Sequence, residues 1–135
     1  MTSESILQTI SLKCDIDYLA PDGSEIRLLP TMNGGGLCHC TLPVGKTSSP
    51  VAHRHVEEIW YVLQGEGKIW RKGPETEETV NVNAGTSLTI PPQTAFQFRN
   101  TGTKPLCILI VTMPPWSGPD EAEETTGPWP SKVSG

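Results

Sequence analysis

His53 and His55 are separated by one residue, and an acidic pair, Glu57-Glu58, follows at once. On a β-strand, positions i and i+2 point to the same face. Two imidazoles placed that way can converge on one ion, with ligand bonds near ~2.1 Å. Imidazole together with carboxylate is the donor set of non-haem Fe(II), Mn(II) and related metals. A lone histidine is more often structural. A His-x-His with a carboxylate within five residues, at the head of an apolar strand, is a more specific signal for a metal.

The elements that must hold these residues are short strands. No internal repeat and no convincing helical period is visible. Strand-like segments recur at 25–29, 36–42, 51–55, 58–63, 67–71, 79–82, 87–90, 95–99 and 106–112. Turn chemistry separates them: Asn33-Gly34-Gly35-Gly36, Gln64-Gly65-Glu66-Gly67, Asn83-Ala84-Gly85, Pro91-Pro92 and Asn100-Thr101-Gly102. Nine short strands at this spacing predict a β-sandwich or a closed barrel. With 135 residues the chain can bury one core and has no room for a second. The 13 glycines and 13 prolines punctuate that core, and apolar runs such as 59–63 and 106–111 argue against disorder.

Flanking this rhythm are residues 1–23, which are weakly patterned and could add an edge strand, and residues 113–135, rich in Pro, Trp and acids. Two readings of the tail stand side by side. Either Trp116 and Trp129 pack it onto the barrel or a neighbouring subunit, or it is mostly loose. The four cysteines read as small buried hydrophobes or pocket-lining residues. A Cys38–Cys40 disulfide would be strained, because the two side chains stand about 6.5–7 Å apart along a strand.

Here the residues reach a family. His53-x-His55-x2-Glu58-x6-Gly65 resembles the first cupin motif, and Gly85-x5-Pro91-x-Gln93-x2-Phe96-x3-Asn100 resembles the second. The run 59–67 between them is also cupin-like, and the match covers roughly 24–112. The whole sequence resembles small bacterial single-domain cupins that end in a Val-Thr-Met-Pro-Pro-Trp segment, here 111–116. The resemblance implies an all-β fold, a double-stranded β-helix or jelly-roll barrel over 24–112. It also implies a divalent metal, of which Fe, Mn, Zn and Ni are the candidates.

Carried over residue by residue, His53, His55 and Glu58 match the family's ligands. Its third histidine is replaced by Phe96, and a motif glycine by Gln93. The gap from Gly45 to His53 is two residues longer than usual, and that from His55 to Glu58 one shorter. Register to Gly65 selects Glu58 as the carboxylate. Strand parity would select Glu57 if the strand ran unbroken. A ring at Phe96 cannot ligate and should instead shape the substrate side of the pocket.

Further candidates for the pocket are His39, Gln93, Tyr61 and Arg27, with Gln97 a possible oxygen donor on the face opposite Phe96. For His39 parity argues otherwise, since Cys38, Cys40 and Leu42 make the more apolar face.

The function these features imply is a small metal-dependent enzyme acting on an organic molecule in the barrel, its reaction an oxygenation, isomerisation, lyase step or cyclisation. The alternative is a non-catalytic cupin that binds a small molecule. A net charge of −5 with no basic cluster gives nucleic-acid binding no support. No apolar stretch approaches the ~20 residues of a membrane span. The N-terminus has no signal-peptide pattern, so a cytoplasmic location is expected. A homodimer is expected too, because exposed sheet edges need cover.

Overall fold

The computed structural model describes residues 7–133. Its strands are β1 (Tyr18–Leu19), β2 (Glu25–Thr31), β3 (Gly36–Leu42), β4 (Val51–His53), β5 (Glu57–Gln64), β6 (Glu66–Lys72), β7 (Glu77–Asn83), β8 (Ser87–Ile90), β9 (Ala95–Asn100), β10 (Leu106–Met113) and β11 (Ala122–Glu124). Among the described residues there is no α-helix, and one 3-10 turn spans Pro119–Glu121. All nine expected strands are present as β2–β10, with ends shifted by up to two residues.

Every pairing is antiparallel. One sheet runs β1-β2-β3-β10-β5-β8 and the other β11-β4-β9-β6-β7. Inward positions alternate most clearly along β5, β8 and β10, as a pleat requires. On β5, Glu58, Trp60 and Val62 are buried while Glu57, Ile59 and Tyr61 are exposed. On β10, Leu106, Ile108 and Ile110 point in. Trp60, Phe96, Phe98, Leu42, Ile69 and Ile108 fill the space between the sheets. The β5–β6 hairpin turns at Gly65, whose φ is +95° and whose absent Cβ would sit 2.7 Å from the Pro105 carbonyl. Only glycine meets both conditions there.

The tail lies on the barrel. β11 pairs with β4, Thr47 exchanges backbone hydrogen bonds with Lys132, and the Trp129 backbone bonds both ways with the Gln97 amide. On the other flank, β1 adds to the edge of β2.

Candidate functional site

The expected strand at 51–55 ends early. β4 stops at His53, and Arg54 and His55 form a bend before β5 begins at Glu57. That bend decides which side chains share a face. His53 points inward and is buried; the His55 side chain points outward, 78 % exposed. Because the strand is broken, the parity that would have favoured Glu57 does not carry across. Glu58 faces the interior and Glu57 faces solvent.

His53 and Glu58 meet in a cavity of about 340 Å³ between the sheets. Its walls include Trp60, Phe96, Ile26 and Ile110 from the barrel and Trp116 from the tail. His53 is held edge-on by Phe96 and Trp116, with ring centroids 5.2 and 5.1 Å away. Its Nδ1 lies 3.8 Å from Glu58 Oε2, is buried, and has no hydrogen-bond partner among the described residues. A gap of 3.8 Å is too long for a hydrogen bond. The other carboxyl oxygen, Oε1, accepts from Trp60 Nε1 at 2.9 Å.

The electrostatics follow from burial. Loss of water raises the Glu58 carboxyl to about 8, against the lowering effect of the Trp60 bond, and the nearby Asp22 adds to the rise. Loss of water likewise lowers the His53 imidazole to about 4. Near neutral pH the pair is therefore a protonated acid beside a neutral imidazole. Asp22 also lines the cavity, and burial raises it against two hydrogen bonds from Ser24. Tyr18 and Cys38 complete this polar side; burial pushes each up to about 12.

His55 has a different partner. Its ring Nδ1 sits 3.0 Å from Glu121 Oε2. Glu121 Oε1 accepts from the backbone N–H of His55 and, at 2.6 Å, from that of Val56. Burial pushes the Glu121 carboxyl up, but these bonds outweigh it and hold it below the usual range. Thus His55 anchors the tail to the bend between β4 and β5.

Of the expected pocket residues, Phe96 lines the cavity and the others lie elsewhere. His39 is buried on the opposite face of β3 from Cys38, which points into the cavity. Arg27 is on the outer face, where its guanidinium donates to the carbonyls of Lys13 and Cys14. Tyr61 is half exposed on the outward side of β5. Gln93 sits with Arg54, His55 and Glu123 in a separate depression. Its φ of 60° explains why the family's motif has glycine there. Gln97 is buried and donates to the carbonyls of Ser48 and Trp129, so its amide is structural.

Do these residues fit a metal? A site with two imidazoles and one carboxylate needs three converging donors. Here one imidazole and one carboxyl converge, the second imidazole is committed to Glu121 outside the cavity, and Phe96 offers no lone pair. Among the described residues no group of three His, Cys, Asp or Glu side chains is placed to hold an ion. As arranged, the set does not fit.

The sheet order and the cavity between the sheets define a jelly-roll double-stranded β-helix. The chain belongs to the Cupin domain family, whose model matches residues 38–112. It is 36 % identical over 110 residues to an uncharacterized protein of Methanocaldococcus jannaschii, covering 76 % of this chain and 83 % of that one. Its fold is similar to an oxalate decarboxylase of Lactobacillus farciminis in a formate complex, with TM-score 0.66, 20 % identity and coverage of 76 % of this chain. It is also similar to an uncharacterized Klebsiella pneumoniae protein with a double-stranded β-helix domain, with TM-score 0.64, 16 % identity, and 77 % of this chain against 85 % of that one. A third likeness, with TM-score 0.60, 17 % identity and coverage of 67 % of this chain, is the Bacillus subtilis oxalate decarboxylase, studied for its Mn(II) centres. The chain spans 31 % of the Lactobacillus chain and 26 % of the Bacillus one. Among the described residues no helix is long and apolar enough to cross a membrane.

Proposed function

We propose that the protein binds a small organic molecule in the barrel cavity, its apolar body against the aromatic wall and its polar end at His53 and Glu58. One observation carries this reading. His53 Nδ1 is buried without a partner among the described residues and lies 3.8 Å from a carboxyl oxygen, at the polar end of a largely apolar cavity. A buried polar atom without a partner costs about 1–3 kcal/mol, so a ligand that bonds it recovers that cost. Cavities of ~300–1,000 Å³ with a few convergent polar groups are the usual form of small-molecule sites.

A catalytic version of the same site has its own support. Glu58 and His53 have their proton affinities pushed in opposite directions, to about 8 and about 4. Such divergence is the pattern of an acid–base pair. Glu58 would give a proton to a bound substrate and His53 would take one. Of the reaction classes open to this family, isomerisation and lyase chemistry can be run on proton transfer alone.

The test is a thermal-shift screen of chelator-treated protein against small organic molecules, repeated on Cys38→Phe. Cys38 lines the cavity, so a phenyl group there should fill it. Ligands that stabilise the wild type and not this variant are expected. Hits that stabilise both equally would place binding outside the cavity.

A further inference from the structure

The cavity wall has a charge composition that selects among ligands. It carries two carboxyls, Asp22 and Glu58, both buried, and among the described residues no lysine or arginine. Neither carboxyl forms an ion pair with a lysine or arginine among the described residues. Each spends one oxygen on a neighbour. Asp22 Oδ1 accepts from the Ser24 N–H at 2.9 Å and from its hydroxyl at 2.6 Å, and Glu58 Oε1 accepts from Trp60. Among the described residues no hydrogen bond reaches Asp22 Oδ2 or Glu58 Oε2, and His53 Nδ1, without a partner among those residues, adds a third polar atom.

Burial without a countercharge makes each carboxyl costly to ionise, and Asp22 adds to that cost at Glu58. A ligand carrying a carboxylate would find no cation in the wall to meet it, and either carboxyl, once ionised, would repel it. A ligand carrying an ammonium group would supply the missing countercharge. The spacing suits it: one donor nitrogen at ordinary hydrogen-bond distance from both His53 Nδ1 and Glu58 Oε2 can bridge their 3.8 Å gap. Tyr18, Trp60, Phe96 and Trp116 then surround the body of the ligand. Aromatic walls attract organic cations as well as apolar groups.

We infer that the cavity is selective for small organic amines with an aromatic or aliphatic body, the ammonium held between His53 and Glu58, whose ionisation it favours, with Asp22 as the second carboxyl. This rests on the ligand-binding reading above and names the class of ligand. Oxalate, the dianion named for some of the fold's solved relatives, is the kind of molecule such a wall disfavours.

The experiment is a charge series measured by isothermal titration calorimetry on chelator-treated protein: 2-phenylethylamine, 2-phenylethanol and phenylacetate. The amine is expected to bind about tenfold or more tighter than the other two, in line with the ~1.4 kcal/mol that a charge-assisted hydrogen bond readily supplies. Glu58→Gln should weaken the amine by a similar factor and the alcohol by clearly less. Phenylacetate or the alcohol binding as tightly as the amine would overturn the charge assignment while leaving the ligand-binding reading intact. If none of the three binds, the amine assignment falls, and the thermal-shift screen on wild type and Cys38→Phe decides the ligand-binding reading separately. The wild-type series decides the matter even where a variant fails to fold.

Discussion

The indole of Trp60 donates to the Glu58 carboxyl across 2.9 Å, two residues along the same strand and on the same inward face. The bond favours the ionised acid, and burial opposes it more strongly. Trp60→Phe keeps most of the apolar packing and removes the donor. The Glu58 carboxyl should then titrate higher still than about 8. Carbon-13 NMR of the glutamate side-chain carboxyls across pH would follow it. A Glu58 resonance titrating lower in the variant would mean that the indole is not what sustains the ionised form.

The same pair sets how stability varies with pH. Glu58 titrates near 8 in the fold against 4.5 unfolded, so its contribution is full below about 4.5 and is lost as pH rises through 8. His53 runs the other way. It is lowered from 6.5 to about 4, and its contribution is full above 6.5 and lost as pH falls through 4. The two slopes oppose each other between about 4.5 and 6.5, whereas between 6.5 and 8 only Glu58 of this pair acts. Urea denaturation should show stability falling from pH 6.5 to 8, and Glu58→Gln should flatten that segment. A wild-type curve that rises through this range would contradict the placement of Glu58.

Much of this site was legible in the sequence, and what was not has physical causes. Turn residues and alternating strands gave the barrel, and Glu58 followed from register to Gly65. The outward turn of His55 did not follow, because His-x-His convergence assumes a continuous strand and β4 ends at His53. The bend is held by Glu121, 66 residues away from His55 in sequence, and no local pattern announces such a partner. Asp22 and Ser24 carry no sequence signal for a related reason. They sit in a turn before β2 and reach the cavity only once the chain is folded. Arg27 and Tyr61 lie on strands whose inward positions are their neighbours, and alternation alone does not say which face is inward.

Glu121 should matter more than the histidine it touches. It accepts from two backbone N–H groups and from the His55 ring, and it is itself buried. Glu121→Ala strands two donors at the bend, at a cost of about 2–4 kcal/mol. His55→Ala removes one exposed ring contact and should cost under ~1 kcal/mol. Chemical denaturation gives the two values. Hydrogen exchange should speed at the His55 and Val56 amides in Glu121→Ala alone. Equal costs would show that the ring contact, not the backbone bonds, holds the tail.

Gln93 occupies a left-handed conformation at φ 60° without glycine's freedom. Its backbone N–H donates to the His53 carbonyl at 2.7 Å, which fixes the turn. Gln93→Gly relieves the strain and keeps that bond. A gain of up to about 1 kcal/mol is expected, since strain of ~1–3 kcal/mol is partly offset by the greater unfolded-state freedom of glycine. A loss of stability would show that Gln93's side-chain contacts outweigh its backbone strain.

The metal question turns on Phe96, whose ring centroid lies 5.2 Å from that of His53. The cavity offers one imidazole and one carboxyl at this point, and a phenyl ring has no lone pair to add. Wild-type protein purified without an affinity tag should therefore hold well below one equivalent of divalent metal, and chelator treatment should leave its melting temperature unchanged. Phe96→His places a second imidazole beside the first, with Glu58 facing both, which is the donor set that divalent Mn, Fe, Ni and Zn accept. Competition with a chromogenic chelator should show at least about tenfold tighter zinc binding in the variant, given that each strong imidazole ligand contributes substantially to a mixed N/O site. His53→Ala on the Phe96→His background should return affinity to the wild-type level, which separates binding in the cavity from binding at exposed His55. Stoichiometric, chelator-resistant metal in the wild type would require His55 to leave Glu121 and turn inward. In that event His55→Ala should empty the site and Glu121→Ala should not.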